Sequence, residues 1–280
     1  MPVSFESAMA GAGLACKDVL IPDGALHRFH VQGDRQCSKN GWYVLFSGDV
    51  ASGIFGSWKT GEKHIWCERN TRELSPAQKQ QHQKRIAKAR QTRAEAERLR
   101  HKAARNKAQA IWKTTPSAPD NHGYLLKKHV SCHGLRLHKG LLVIPMHDTA
   151  GCLHSLQFID SEGNKRFLSG GRKKSCHFLI GTPSKTLCIA EGYATAATIY
   201  ETTGYAAAVA FDAGNLLSVA QALRLKHPHI KLIVCADNDN NTKGNPGLTK
   251  ARQAAMSVGA VLAVPPCSGD FNDLYVQDRL

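Results

Sequence analysis

From residue 186 onward, apolar and polar positions alternate in blocks, not residue by residue. Four runs, 187–190, 206–211, 232–236 and 260–264, are apolar throughout, the pattern of strands buried on both faces of a parallel sheet. Between them lie stretches of helix length with start and stop signals. The stretch 193–202 ends at Gly204, and 215–226 begins with Asn215 as its cap and stops before Pro228. The third, 246–258, has Asn245 as cap, Pro246 at its first position and Gly259 past its end, the usual polarity of helix punctuation. The predicted order is β-α-β-α-β-α-β, an α/β unit with a parallel sheet flanked by helices.

Upstream the rhythm changes twice. Residues 141–145, 153–159 and 166–168 form short apolar runs separated by turn signals at 148–151 and 160–164, which predicts a β-rich unit over 140–181. Residues 75–113 carry neither Gly nor Pro after Pro76 and are mostly Ala, Gln, Lys, Arg and Glu, which predicts one long helix. Its apolar positions, chiefly Ile86, Ala89, Leu99, Ala103, Ala110 and Ile111, are too sparse for a broad packing stripe. The first 70 residues predict a short helix over 4–14 and an aromatic-rich antiparallel meander over 42–46, 53–58 and 63–66. The chain therefore divides into a small unit 1–70, a long helix 71–113, a β-rich unit 114–182 and an α/β unit 183–280.

Charge adds a partner to this plan. With 37 Lys and Arg against 22 Asp and Glu, the formal net charge is +15, which points to a polyanion. The long helix runs from Lys79 to Lys113 with only Glu95 and Glu97 as acids. It reads equally as a solvated spacer and as a phosphate-binding element. The glycine-flanked cations Arg172, Lys173 and Lys174, after Lys165 and Arg166, read as a basic loop near phosphates or as an ordinary turn. No apolar run is long enough to span a membrane, and residues 1–20 lack the pattern of a secretory signal. The expected location is the cytoplasm. Nine cysteines, none as C-x-x-C, fit a reducing compartment.

Two decoys sit in the first 70 residues. The stretch Gly56 to Lys63 looks like a phosphate loop, but Glu62 occupies the position that needs Lys. Cys37, His64 and Cys67 supply three candidate zinc ligands without a fourth at normal spacing, so no zinc is expected. Trp42, Trp58 and Trp66 read either as base-stacking platforms or as the core of a very small domain.

The chemistry gathers at the strand ends. Glu191 follows the first apolar run, Asp237 and Asp239 the third, and Asp270 and Asp273 the fourth. In an open α/β sheet, groups beyond the carboxyl ends of strands converge on one crevice, and residues two apart in extended chain face one side. Singly, each acid is an ordinary turn or helix-start residue. Together, clustered carboxylates repel unless a cation sits among them, and an all-oxygen set favours Mg2+ or Mn2+.

These residues carry a resemblance. Glu191-Gly192-Tyr193-Ala194-Thr195-Ala196, followed by Ala210-Phe211-Asp212-Ala213-Gly214-Asn215-Leu216, Asp237-Asn238-Asp239, Asn245-Pro246-Gly247 and Asp270-Phe271-Asn272-Asp273, resembles the TOPRIM primases of conjugative plasmids and satellite phages. The resemblance extends back through 140–181, which looks like the basic subdomain preceding TOPRIM in bacterial primases. It implies a DNA primase that makes short RNA primers on single-stranded DNA from NTPs. Glu191 would be the essential acid, and Asp237, Asp239 and one or both of Asp270 and Asp273 would hold metal. Lys165, Arg166, Arg172, Lys173 and Lys174 would contact nucleotide or nucleic-acid phosphates. Residues 1–70 would stand where many primases carry a zinc ribbon, as a metal-free template-binding module, with Trp42, Trp58, Arg85 and Lys88 as its contacts. The sequence contains no Walker motif, so any replicative helicase is a separate partner, and a monomer is expected. The competing classes are a metal-dependent TOPRIM nuclease and a non-catalytic protein that binds single-stranded DNA.

Overall fold

The computed structural model describes residues 3–240, 242 and 244–278, and it separates into two compact units, 1–99 and 100–280. In the first unit, α1 (Phe5–Gly11) starts at Ser4, whose hydroxyl accepts the Ser7 N–H at 3.1 Å. Four strands follow: β1 (His27–Phe29), β2 (Gly41–Phe46), β3 (Ser52–Ser57) and β4 (Lys63–Cys67). They form an antiparallel sheet in the order β1-β2-β3-β4. The predicted meander is its last three strands. β1 spans only His-Arg-Phe, too short to show an alternation in sequence.

Successive side chains of a strand face opposite sides, and here both sides are covered. Tyr43, Leu45 and Phe55 pack with Phe5 and Met9 of α1. Trp42, Val44 and Ile54 pack with Ile86 and Ala89 of α2 (Pro76–Thr114). Two apolar residues one helical turn apart suffice to seat this part of α2, which the sparse pattern had not promised. The arrangement also corrects the expectation for Trp42. At 1 % exposure it is a core side chain and offers no face for stacking bases.

The second unit opens with residues 100–114 of α2, where Ala108 packs among Val143, Leu156 and Phe158. The buried alanines of this stretch are Ala104 and Ala108, while Ala103 and Ala110, singled out from the sequence, are exposed. Next come α3 (Gly123–Lys128), β5 (Arg136–His138), β6 (Leu141–His147), β7 (Leu153–Ile159) and β8 (Lys165–Phe167), the strands forming an antiparallel sheet in chain order.

The α/β part comprises β9 (Phe178–Ile180), β10 (Thr186–Ala190), α4 (Tyr193–Thr203), β11 (Ala206–Val209), α5 (Ala213–Lys226), β12 (Lys231–Cys235), α6 (Pro246–Val258), β13 (Val261–Ala263) and α7 (Phe271–Gln277). The strand order is β13-β12-β10-β11-β9, all parallel except β9 against β11. Cys188, Ala190, Ala207 and Val209 face Tyr193, Ala196 and Ala197 of α4. Leu187, Ile189, Ala208 and Val234 face Leu216, Val219, Ala251 and Ala254 of α5 and α6. Burial on both faces explains the unbroken apolar runs, and truncating one of these, such as Ile189→Ala, would cost about 2–5 kcal/mol. One boundary differs from expectation. Asp212, not Asn215, caps α5, accepting the Asn215 N–H at 3.0 Å. Asn215 turns inward instead, its Nδ2 donating to the carbonyls of Ala210 and Cys176. Among the described residues no helix is long and apolar enough to cross a membrane.

Candidate active site

The carboxyl end of β10 delivers Glu191, and that of the adjacent parallel β12 delivers Asp237 and Asp239. Between the two aspartates, Asn238 is buried and its Nδ2 donates to the carbonyls of Pro265 at 3.2 Å and Cys267 at 3.0 Å. The backbone of Asn238 also exchanges two hydrogen bonds with Gly269, at 2.9 and 3.0 Å. This stitch draws the third acidic segment to the end of β12. Asp270 then caps α7, accepting the N–H groups of Asn272 and Asp273, while Asp273 accepts the Asp270 N–H in a reciprocal capping box.

Close approach of backbone fixes the other side of the crevice. Asn245, in the left-handed conformation, caps α6 and accepts the Asp239 N–H at 2.9 Å. The Gly247 N–H donates to Asp239 Oδ2 at 3.2 Å. A Cβ on Gly247 would lie 2.7 Å from the Asp237 carbonyl oxygen and 2.8 Å from Asp239 Oδ2, so only glycine lets the first turn of α6 reach this carboxylate.

Burial and neighbouring carboxylates raise the proton affinity of Asp237 and Glu191. Burial, then the charges of Glu191, Asp270 and Asp239, push the Asp237 carboxyl up to about 8, with Lys165 pulling the other way. Burial raises Glu191 above the usual carboxylate range as well, reinforced by Asp212 and Asp239 and opposed by Lys165 and the Ala213 N–H. Asp273 differs. Its burial is outweighed by Lys128, whose Nζ stands 2.9 Å from Oδ1, and by the Asp270 N–H, so its carboxyl is lowered. Four of the five predicted acids thus share one electrostatic field, whereas Asp273 is committed to an ion pair and a helix cap. Among the described residues no three His, Cys, Asp or Glu side chains stand close enough to enclose a metal ion. However, Asp237 Oδ1 is buried without a hydrogen-bond partner, which a bound cation would remedy.

Beside the acids lies a cavity of about 320 Å3 whose polar lining is Lys127, Lys128, Lys165, Tyr124, Thr195 and the carboxylates of Glu162 and Asp270. The amino end of α4 opens on it. Gly192 at the cap position supplies no side-chain hydrogen bond, and Thr195, 1 % exposed, has an unpartnered Oγ1. The amino end of α4 and three lysines, of which Lys128 is paired with Asp273, face this cavity, a setting that favours an anion.

The remaining predicted cations are distributed differently. Lys173 pairs with Asp212 and lies 5.2 Å from the Phe167 ring centroid, so it is held against the crevice wall. The Arg172 Nε donates to the Lys174 carbonyl at 3.2 Å, stabilising the loop. Arg166 lies over Phe158 at 5.6 Å, and Lys174 is exposed. In the first unit, Arg85 donates to the Val50 carbonyl at 2.9 Å and covers Phe46, Lys88 is exposed, and half-buried Trp58 lies under Arg93 with 4.3 Å between guanidinium and ring centroid. Lys127, Lys128, Thr195 and Asp212 were missed. A Lys-Lys pair at the end of a six-residue helix and a threonine inside an apolar helix carry no distinguishing signal in one sequence. Asp212 could have been found from its place after the second apolar run, by the rule that singled out Glu191.

Comparison with known proteins finds similarity over the stretch that carries these acids. Residues 186–279 match the Toprim domain model. Two curated proteins of Escherichia coli, both named DNA primase TraC, are similar to the chain. One is 35% identical over 88% of this chain and 24% of its own length, the other 31% identical over 98% and 20%. The chain thus spans a quarter or less of these relatives. Among solved structures, the primase fragment of the bacteriophage T7 primase-helicase protein is similar at 19% identity and a TM-score of 0.44, over 59% of this chain and 76% of that one. The resemblance drawn from the Glu191 motif is borne out, and the Toprim match covers all five predicted acids.

Proposed function

We propose that the chain is a DNA primase, building short RNA primers on single-stranded DNA by nucleotidyl transfer from NTPs. The observation that carries this reading is the buried, unpartnered carboxylate of Asp237, set among Glu191, Asp239 and Asp270 and next to a lysine-lined cavity. Acids alone fit many Toprim chemistries. Acids adjoining a pocket built for a polyanion fit a triphosphate substrate.

Asp237, whose Oδ1 lacks a partner, would hold a divalent cation with Glu191, Asp239 and Asp270 supplying negative charge around it, and hard oxygen donors suit Mg2+ or Mn2+. When bound, the cation supplies charge neutralisation at the reacting phosphate. The chain's own groups do the rest. The primer 3′-hydroxyl attacks the α-phosphorus of an incoming NTP; the new O3′–P bond forms as the bond to the bridging β-phosphate oxygen breaks, and pyrophosphate leaves with that electron pair. Glu191 accepts the hydroxyl proton, for which a carboxyl raised toward neutrality is better matched than an ordinary one. Lys127, Lys128, Lys165 and the amino end of α4 hold the triphosphate and stabilise the departing charge. The exposed cations Arg166 and Lys174, with Arg172, serve the nucleic-acid backbone beside the crevice.

The test is primer synthesis on mixed-sequence single-stranded DNA with labelled NTPs and Mg2+ or Mn2+, comparing wild type with Glu191→Gln. Short RNA from the wild type, reduced at least about a hundredfold in the variant, is the expected result. Shortening of the DNA would replace the reading with a nuclease. Binding that survives EDTA, with no RNA product, would replace it with a non-catalytic binder.

A further inference from the structure

We infer that a cavity in the first unit, between the sheet and α2, holds one nucleotide of single-stranded DNA. It measures about 430 Å3, within the range of small-ligand sites. Its apolar wall is Trp42, Ile54, Ile65 and Ala89, and its remaining lining is Lys63, Arg90 and Arg93. Every polar side chain in that lining is a hydrogen-bond donor, and no carboxylate is among them.

Two of the donors are unsatisfied. Trp42 Nε1 and Arg93 Nε are both buried without an acceptor. A buried donor without an acceptor is costly, and two in one cavity point to a ligand that brings acceptors. Arg93 is also held in place: its guanidinium lies 4.9 Å from the Trp42 ring centroid and 4.3 Å from that of Trp58, and its Nη1 reaches Glu97 at 3.3 Å. The apolar side is open as well, since Ile65 is 53% exposed. Cations with apolar walls match a nucleotide, phosphate on the donors and base against Ile54 and Ile65.

The occupant is a DNA strand and not a free nucleotide, because the cations continue beyond the cavity. Lys79 is exposed on the same face of α2, three turns before Arg90, and a strand held at one nucleotide gains a further phosphate contact there. This identification rests on the proposed single-stranded template. It also reassigns template contact within the first unit: Lys63, Arg90 and Arg93 make it, and Trp42 serves as cavity wall instead of stacking platform.

The experiment measures binding of a fluorescent single-stranded oligodeoxynucleotide to the full chain at about 0.15 M salt, where long-range attraction is largely screened. The double variant Lys63→Glu/Arg90→Glu changes two exposed cavity cations. Lys84→Glu/Lys88→Glu makes the same charge change on the opposite face of α2, away from the cavity. The expected result is at least about tenfold weaker binding for the first and less than about threefold for the second, with unchanged thermal melts and no competition by free deoxynucleoside monophosphate. Equal losses would overturn the inference in favour of a diffuse basic helix, and unchanged binding in both would leave the cavity without a role in DNA contact. A free nucleotide that binds as tightly as the strand would make this a nucleotide-sensing pocket, and an acidic peptide that displaces DNA equally well would make it a protein-docking site. Primer synthesis is scored separately. Cavity-dependent binding without primers would break the proposed function and leave the cavity standing, and primers without cavity dependence would do the reverse.

Discussion

The acid crevice of the second unit and the donor cavity of the first are mirror images in charge. In the crevice, Asp237 Oδ1 is a buried acceptor without a donor; in the cavity, Trp42 Nε1 and Arg93 Nε are buried donors without an acceptor. Folded chains pair nearly all buried polar groups, so each site is unfinished in a direction that names its complement, a cation in one and an anion in the other. The means of construction differ. The crevice is assembled by backbone: parallel strand ends, the Asn238–Gly269 stitch and the close approach of Gly247. The cavity is assembled by side chains standing between a helix and a sheet face.

The comparison breaks most sharply if the two sites cannot be separated functionally. Asp237→Asn should abolish primer synthesis, at least about a hundredfold, while leaving affinity for single-stranded DNA within about threefold, read by primer assay and fluorescence anisotropy on the same preparations. Loss of DNA affinity in parallel would mean that the acids hold the template, and the division of labour would fail.

The next effect concerns protons. The Asp237 carboxyl, at about 8 in the folded chain, lies above its ordinary value of 3.8. The folded state therefore binds more protons than the unfolded one between those values, so this group's contribution to stability is full at acid pH and is lost as pH rises through about 8. Metal-free protein should melt at falling temperature from about pH 6.5 to about pH 8, and Asp237→Asn should flatten that slope. Added Mn2+ should raise the melting temperature more at the upper end, because cation and proton compete for the same oxygens. A slope unchanged in Asp237→Asn would remove this carboxylate from the centre of the cluster.

How much of this was legible in the sequence follows the same divide. The crevice was largely readable, because strands buried on both faces leave unbroken apolar runs and the acids stand directly after them. Asp270 and Asp273 look alike in the stretch 270–273, both belong to one capping box, and only the Lys128 contact sets Asp273 apart. Lys127, Lys128 and Thr195 were invisible because they meet through tertiary packing of α3 against α4 and α7, for which the chain holds no local signal. In the first unit the meander was legible and the fate of its aromatics was not. Trp42 alternates with Tyr43 to opposite faces, and whether either face is covered depended on α1 and on two apolar residues of α2.

A smaller effect tests the backbone construction of the crevice. Gly247→Ala places a methyl group within 2.8 Å of Asp239 Oδ2, and the first turn of α6 must retreat. The expected cost is about 1–3 kcal/mol of stability, with weaker metal-induced stabilisation and unchanged DNA binding. Retention of the full Mn2+ response would show that the crevice tolerates movement of α6 and is not set by this contact.

The smallest effect lies outside both sites and serves as their control. His177, immediately before β9, is buried and exchanges backbone hydrogen bonds with His147 at the end of β6. Burial, then the charges of Lys226 and His147, lower it from 6.5 to about 4, with Asp148 opposing. A depressed histidine contributes stability that is present above 6.5 and lost as pH falls toward 4, the opposite sign to Asp237. Between about pH 7 and about pH 5.5 its share should be about 1 kcal/mol, read as the difference between wild type and His177→Gln because Asp237 acts with the opposite sign over that range. It should disappear in His177→Gln and be indifferent to Mn2+, as measured by urea unfolding at the two pH values. If added metal changed this acid limb, the histidine would be coupled to the crevice, and the separation of the acid site from the rest of the second unit would have to be redrawn.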